Sequence, residues 1–210
     1  MQEIVVSLTT DTKEQIISVA ERLFAERGFA GTTLRNLVSE AGVNLAAVHY
    51  HFGSKEDLFR AVVARFARPV VEQELALLEQ LQAGQEVPSV EAILTALIKP
   101  NLEILAQDKD NLLVRAQFMG RCQTEPEPIK SVAAGEFAVS TKAFLDVLQR
   151  ALPEQSRSQI HWKFDLVIAA LIRVLAEAGQ PFALLQNTNS QDIQNATEQL
   201  VKFLSPGMRA

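Results

Sequence analysis

Disulfides are the first thing this chain does without: its single cysteine, Cys122, has no partner, and no Cys-x-x-Cys occurs. Soft metal ligands are nearly as scarce. His49 and His51 stand two apart, on different faces of any helix, unlike a zinc pair at i and i+4. The third histidine, His161, sits beside Trp162 with no soft ligand near it in sequence. No metal site and no cofactor are expected. Long apolar runs are also missing. The longest, Leu166 to Ile172, stops at Arg173 and is too short to span a bilayer. Met1 to Leu8 carries no basic residue ahead of its short apolar run, so it does not read as a secretory signal. The expectation is a soluble, cytoplasmic protein with no membrane partner. Catalytic patterns are absent too. No Ser-His-acid spacing is legible, and Gly53-Ser54-Lys55 lacks the upstream Gly and the Gly-Lys-Ser order of a phosphate-binding loop. We expect no enzyme.

What is present suffices for a folded protein. The chain has 210 residues, 48% hydrophobic and 21% charged, enough to bury a core without staples and too apolar for general disorder. Charge is uneven. Residues 1–68 hold eight Lys/Arg against eight Asp/Glu, leaving 12 Lys/Arg against 17 Asp/Glu for residues 69–210. This acidic balance disfavours nonspecific coating of nucleic acid but leaves room for a small local DNA-reading surface.

Helical spacing dominates, and strand signals are few. Asp11 or Thr12 can cap a helix from Lys13 to Arg27, which Gly28 stops. Thr32 or Thr33 caps a short second helix ending at Gly42, and a third runs from Leu45 to Phe52. Ser54 caps a fourth through Leu58, Phe59, Val62, Val63 and Phe66, with a candidate seam at Arg68-Pro69. Positions 71, 75, 78 and 81 repeat at helical spacing. Pro88 opens the next helix, which Pro100 should kink or divide, and Asp110 can start another reaching Arg121. Glu125-Pro126-Glu127-Pro128 is a loop. Long helices over 129–152 and 154–178 follow, then one over 190–204. The fold class is all-α, divided as 1–68 and 69–210.

The stretch Thr33 to Phe52 carries the chemistry. Two short helices joined by a tight turn containing Gly42 form a helix-turn-helix. Leu37, Val38, Ala41, Val43, Val48 and Phe52 can close one small core. That leaves Leu45, Ala46, Ala47, His49, Tyr50 and His51 largely outward. The small Ala46 and Ala47 allow close approach to a groove floor, and Lys55 supplies a cation at the next helix start, suited to phosphate.

Gly28-Phe29, Thr33, Ala41-Gly42-Val43 and His51-Phe52-Gly53-Ser54-Lys55-Glu56-Asp57-Leu58 together resemble the DNA-binding domain of the TetR family of bacterial transcriptional regulators. The resemblance covers roughly residues 11–60. It departs at Asn44, where Ser is common and Asn can still cap the recognition helix, and at His49, where Tyr is common. The resemblance implies a three-helix N-terminal domain on double-stranded DNA and a larger helical domain for effector binding and dimerisation. It assigns DNA contact to Thr33, Arg35, Asn44, Leu45, Ala46, Ala47, His49, Tyr50, His51 and Lys55. Thr33, Tyr50 and Lys55 suit phosphates, while Arg35, Leu45, Ala46 and Ala47 suit base edges or thymine methyls.

Beyond that segment the residues speak less specifically. Arg115, Phe118, Met119, Cys122, Phe137 and Trp162 are candidates to line an effector pocket, with ordinary core packing as the competing reading. Cys122 is either a packed core residue, which we favour, or a redox sensor activated by Arg115 and Arg121. Helix 154–178 is apolar over too broad a surface for one buried stripe. Phe164, Val167, Ile168, Leu171 and Ile172, with Phe137, Phe144 and Leu148 before them, are the expected homodimer interface. The function expected is a homodimeric repressor released from a roughly palindromic operator by a small-molecule effector. The alternative is a helical protein–protein adaptor whose helix-turn-helix no longer binds DNA.

Overall fold

A computed structural model describes the backbone except at residues 1, 85, 108–111 and 188, and the side chains except there and at 2–11, 105–107, 112, 113 and 116. Among the described residues there are ten helices and no strand: α1 (Gln2–Gly31), α2 (Leu34–Glu40), α3 (Leu45–Phe52), α4 (Lys55–Gln82), α5 (Val90–Gln107), α6 (Leu112–Thr124), α7 (Ile129–Gly135), α8 (Ala138–Ala151), α9 (Arg157–Ala176) and α10 (Ser190–Arg209). None is long and apolar enough to cross a membrane.

The chain divides into two units. The first is Met1–Phe66 with Gln117–Glu136, and the second is Ala67–Ala116 with Phe137–Ala210. The first break lies near the expected seam, but residues 117–136 join the N-terminal unit instead of the C-terminal one. Helices α4 and α6 therefore each contribute to both.

Several helix limits differ from expectation, each for a local reason. The first helix starts at Gln2, so positions 11 and 12 lie inside it and do not cap it; the side chain of Asp11 is outside the described residues. Asp110, the expected start of the sixth helix, is likewise outside them. Pro69 and Pro100 do not divide α4 and α5. Each proline removes one backbone donor, and the buried stripes on either side hold the helices together. The expected helix 129–152 is two, separated at Glu136 and Phe137 beyond the low-propensity Gly135. α9 begins only after Ser156, whose hydroxyl and Gln159 form a capping box. α10 runs past Leu204 to Arg209.

In the first unit Ile16, Ala20, Leu23, Phe24, Leu37, Val48, Leu58 and Phe59 are buried. In the second, α10 lays Ile193, Ala196, Leu200 and Met208 inward and packs on α5, while Phe144 of α8 stacks with Phe164 of α9 at 6.3 Å.

One buried residue of the second unit is not apolar. The inward stripe of α4 is Val70, Glu74 and Leu78, so a carboxyl occupies a core position. Glu74 is 2% exposed, and Oε1 accepts from Asn101 Nδ2 of α5 at 2.9 Å. Burial pushes this acid up to about 7 from an ordinary 4.5, against the opposing help of Ser140 and Asn101. A raised value means the folded chain holds the proton more tightly than the unfolded one. The contribution is therefore fully present below pH 4.5 and is lost as pH rises through about 7. Glu74→Gln should accordingly match the wild type in urea melts at pH 5. At pH 8 it should be more stable by on the order of 2–3 kcal/mol. A difference that does not grow with pH would contradict the assignment.

Candidate nucleic-acid interface

Three side-chain caps set the reading head. Thr33 Oγ1 accepts the Asn36 amide at 3.1 Å and starts α2; Asn44 Oδ1 accepts the Ala47 amide at 2.8 Å and starts α3. Ser54 Oγ accepts the Asp57 amide at 3.0 Å and starts α4. In each case the capping oxygen satisfies an amide that the helix itself leaves unpaired. Gly42, at φ 60°, makes the turn between α2 and α3, and Gly53, at φ 81°, ends α3.

These caps orient the faces of α3. Val48 is fully buried, together with Leu37 and Ala41 of the preceding helix and turn. Leu45 is 42% exposed and Tyr50 is 81% exposed, an unusual amount of apolar and aromatic surface for so short a helix. Ala46 and His49 are also exposed; Ala47 and His51 are half-buried. The Tyr50 and His51 rings meet edge to face at 5.0 Å. His49 Nδ1 lies 2.9 Å from the Gly53 carbonyl, which can only accept, so Nδ1 carries the proton and Nε2 is the ring's remaining site. Thr33 and Arg35 are exposed at the start of α2. The Thr33 cap uses the hydroxyl oxygen as acceptor and leaves its proton available to a phosphate.

Lys55 is more constrained than its sequence position suggests. Its Nζ lies 4.1 Å over the Phe29 ring, and burial lowers its pKa against the opposing fields of Glu56 and Glu125. The ammonium is thereby held at the N-terminus of α4, beside the recognition helix.

What holds Phe29 in place is a contact the sequence did not announce. At Gly28, φ 70° and ψ 177° leave the helical path, so α1 is kinked there. In an unbroken helix the Phe29 amide would donate to the Ala25 carbonyl. Here the amide donates to Glu125 Oε1 at 2.8 Å, and the Ala25 carbonyl accepts from Arg121 Nε at 2.5 Å. Arg121 Nη2 adds a bond to the Glu26 carbonyl at 2.8 Å. Two residues one turn apart at the end of α6 thus supply both halves of the interrupted hydrogen bond. Phe118, one turn earlier, meets Phe24 at 6.5 Å and Phe59 at 5.5 Å, and Phe29 meets Phe59 at 5.5 Å. Thr32, buried behind this ring cluster, donates to the Gly28 carbonyl at 2.9 Å.

The expected effector-pocket residues are distributed over both units. Phe118, Met119 and Cys122 are buried in the first unit, whereas Arg115, Phe137 and Trp162 belong to the second, and Trp162 is 52% exposed. Phe118 belongs to the aromatic cluster. A cavity of about 1110 Å³ lies along α5 and α10, between polar residues including Glu91, Lys99, Glu198 and Arg209. Arg209 pairs with Glu91 there and holds its carboxyl down to about 2. Cys122 is 2% exposed, and burial, reinforced by Glu125, pushes its thiol up to about 12. Arg121 is committed to backbone carbonyls and does not activate it, so Cys122 packs as a core residue.

Five of the eight expected dimer residues are covered by their own chain. Phe144, Leu148, Phe164, Val167 and Leu171 are all buried within this one chain and have no surface left for a partner. Phe137, Ile168 and Ile172 are half-buried. The outward apolar positions are others: Trp162 and Leu166 on α9, 52% and 59% exposed, and Val139 on α8. Among the described residues no group of His, Cys, Asp and Glu is placed to hold a metal ion.

Comparison with known proteins agrees with this architecture. Residues 16–62 match the model for bacterial regulatory proteins of the tetR family, and residues 95–207 match the tetracyclin repressor-like C-terminal domain. An HTH-type transcriptional repressor, BepR of Brucella suis, is 32% identical over 114 residues, covering 54% of this chain and 52% of the relative. The chain thus spans about half the length of that curated relative. Among solved structures, the fatty acid degradation regulator FadR from Bacillus halodurans is 16% identical with a TM-score of 0.64, covering 94% of this chain and 96% of that one. FadR from Bacillus subtilis, solved in complex with stearoyl-CoA, is 15% identical with a TM-score of 0.59, covering 92% and 98%. At such identities the two structures speak for the fold alone.

The kink makes a direct prediction. A Cβ at position 28 would fall 2.8 Å from Glu125 Oε1, on a backbone of positive φ. Gly28→Ala should destabilise the chain by about 1–2 kcal/mol in denaturant melts, most of it from φ and not from the displaceable carboxylate. No loss would mean that position 28 is not held left-handed.

Proposed function

The chain belongs to the TetR family of bacterial regulatory proteins, and from that membership we propose that it is a transcriptional repressor. It works as a two-fold dimer on a roughly palindromic operator in the cytoplasm and is released by a small effector. We assign it no catalytic role. The observation that carries this reading is α3, a capped helix anchored by Val48 that leaves Leu45, Ala46, His49 and Tyr50 to the outside. The match of residues 16–62 to the family's DNA-binding model favours DNA over a protein–protein adaptor as the partner of this surface.

On DNA the contacts divide by chemistry. The Thr33 hydroxyl, the Tyr50 phenol and the Lys55 ammonium bind phosphates and fix register. Arg35 and the start of α3, Leu45, Ala46 and Ala47, meet base edges and thymine methyls in the major groove. The amide nitrogen of Asn44, whose oxygen is used by the cap, donates to phosphate, and His49 and His51 complete the surface.

A dimer would present two such heads about 34–36 Å apart, one turn of B-DNA. We place its seam on the outward residues Trp162 and Leu166 of α9 and Val139 of α8, whose exposure supports burial by a second copy. Release then follows if the effector binds better to a dimer whose head separation no longer fits successive grooves. The affinity lost on DNA equals the coupling free energy between the two sites. That the related fold from Bacillus subtilis accommodates stearoyl-CoA supports an effector site in this fold.

Two measurements test the proposal. Lys55→Ala should weaken binding to operator and random DNA alike and lower the slope of log affinity against log salt by about one. An unchanged slope would remove Lys55 from the phosphate contacts, and no binding to any DNA by the wild type would favour the adaptor. Leu166→Asp should give a folded monomer by sedimentation, with operator affinity reduced by an order of magnitude or more. A dimer of unchanged mass would exclude this face.

A further inference from the structure

The fold fixes where the His49 ring carries its proton. Nδ1 lies 2.9 Å from the Gly53 carbonyl, which accepts only, so Nδ1 holds a hydrogen whether the ring is neutral or charged. Nε2 then bears a lone pair in the neutral ring and a hydrogen only in the imidazolium. The ring is exposed on the last turn of α3, and its bond to the residue four positions on draws it towards the start of α4. There Ser54 caps α4, and the Lys55 ammonium is held over Phe29. A cation and the amino end of a 28-residue helix attract anions to this edge of the surface. His49 therefore belongs with the phosphate-binding edge, and not with the start of α3 that suits base edges.

A phosphate oxygen is an acceptor and nothing else. The neutral ring would set the Nε2 lone pair against it, whereas the imidazolium gives a charge-assisted N–H···O bond. Among the described residues no carboxylate is bonded to the His49 ring, unlike His161, which has Asp165 at 3.4 Å. The charged groups of the surrounding elements have other partners or face solvent. On α1, Arg22 and Arg27 pair with Glu26 and with Glu40 of α2, while Glu14 and Glu21 pair with Arg65 of α4. On α4, Asp57 accepts from Ser54 and Arg60. Lys13, Arg35 and Glu56 are exposed. The anion that would complete His49 is one the chain does not supply.

We propose that His49 is a proton-linked phosphate contact: it grips the DNA backbone through Nε2 as the imidazolium, so that each reading head takes up a proton when it binds. This deepens the DNA-binding reading given above and rests on it. The bound state holds the proton more tightly than the free one. Affinity is therefore greatest at low pH and is lost as pH rises through the range in which an imidazole titrates. The contact carries no sequence information, so operator and random DNA share the effect.

A random-sequence duplex titrated into the full-length protein at pH 6 and pH 8, at one ionic strength, tests the proposal. Affinity should fall on the order of tenfold between them, the worth of one charge-assisted hydrogen bond. Calorimetry at pH 7 should show proton uptake, read as a heat that changes with the ionisation enthalpy of the buffer. His49→Gln keeps a donor near the Nε2 position at every pH. It should bind at pH 8 at least as well as the wild type and gain nothing at pH 6. Glu74, which burial pushes up to about 7, is left in place by this substitution and cannot account for the loss of pH dependence. His51→Gln, whatever its affinity, should keep the dependence. Wild-type affinity that is equal at the two pH values or greater at pH 8, binding without proton uptake, or a dependence that survives His49→Gln would overturn the assignment and leave the repressor reading standing. So would weaker binding of His49→Gln at pH 8. Failure of the wild type to bind DNA at either pH would overturn both.

Discussion

The reading head depends on an interrupted helix repaired from elsewhere in the chain. Gly28 breaks α1, and the amide and carbonyl thereby separated are taken up by Glu125 and Arg121. A buried or half-buried peptide group left unmatched costs about as much as a lost hydrogen bond, so the break persists only where both partners arrive together. Residues 121 and 125 are one helical turn apart and arrive together by construction. The break lets Phe29 turn towards Phe59, and Phe29 in turn carries the Lys55 ammonium on its face. A chain of local contacts thus runs from the end of α6 to the Lys55 ammonium at the start of α4, all within one unit.

The two units treat buried polarity in opposite ways. In the first, the polar groups at the kink are matched by donor and acceptor, and the result is rigidity. In the second, Glu74 is buried beside the neutral Asn101 and Ser140, and burial pushes its carboxyl up to about 7. A matched polar cluster specifies one conformation, whereas a buried carboxyl with neutral partners makes stability depend on its protonation. α4 and α6 contribute residues to both units.

Much of the head was legible because its signals are local. Thr33, Asn44 and Ser54 are caps by residue type and position, Gly42 and Gly53 are turns, and Val48 is core by spacing. What escaped was long-range. Nothing near Arg121 or Glu125 in sequence indicates that they meet residues 25–29, and the proline-rich loop that follows them reads only as a break. Glu74 escaped for a different reason. A period drawn through apolar residues selects 71, 75, 78 and 81, while the buried face of α4 is 70, 74 and 78. A charged residue on the true stripe shifts the apparent one by a position. The same limit applies to α9, where Phe164, Val167 and Leu171 fill the chain's own core while Trp162 and Leu166 face outward. Tertiary packing, not periodicity, decides which of two apolar faces is covered.

Amide hydrogen exchange on a chain carrying Arg121→Ala and Glu125→Ala together tests the repaired break most directly. Loss of protection at residues 25–41 and through α3, with the amides of α5 and α10 exchanging as in the wild type, is the predicted result. Unchanged protection in α2 and α3 would show that the reading head stands without the end of α6, and would contradict the account.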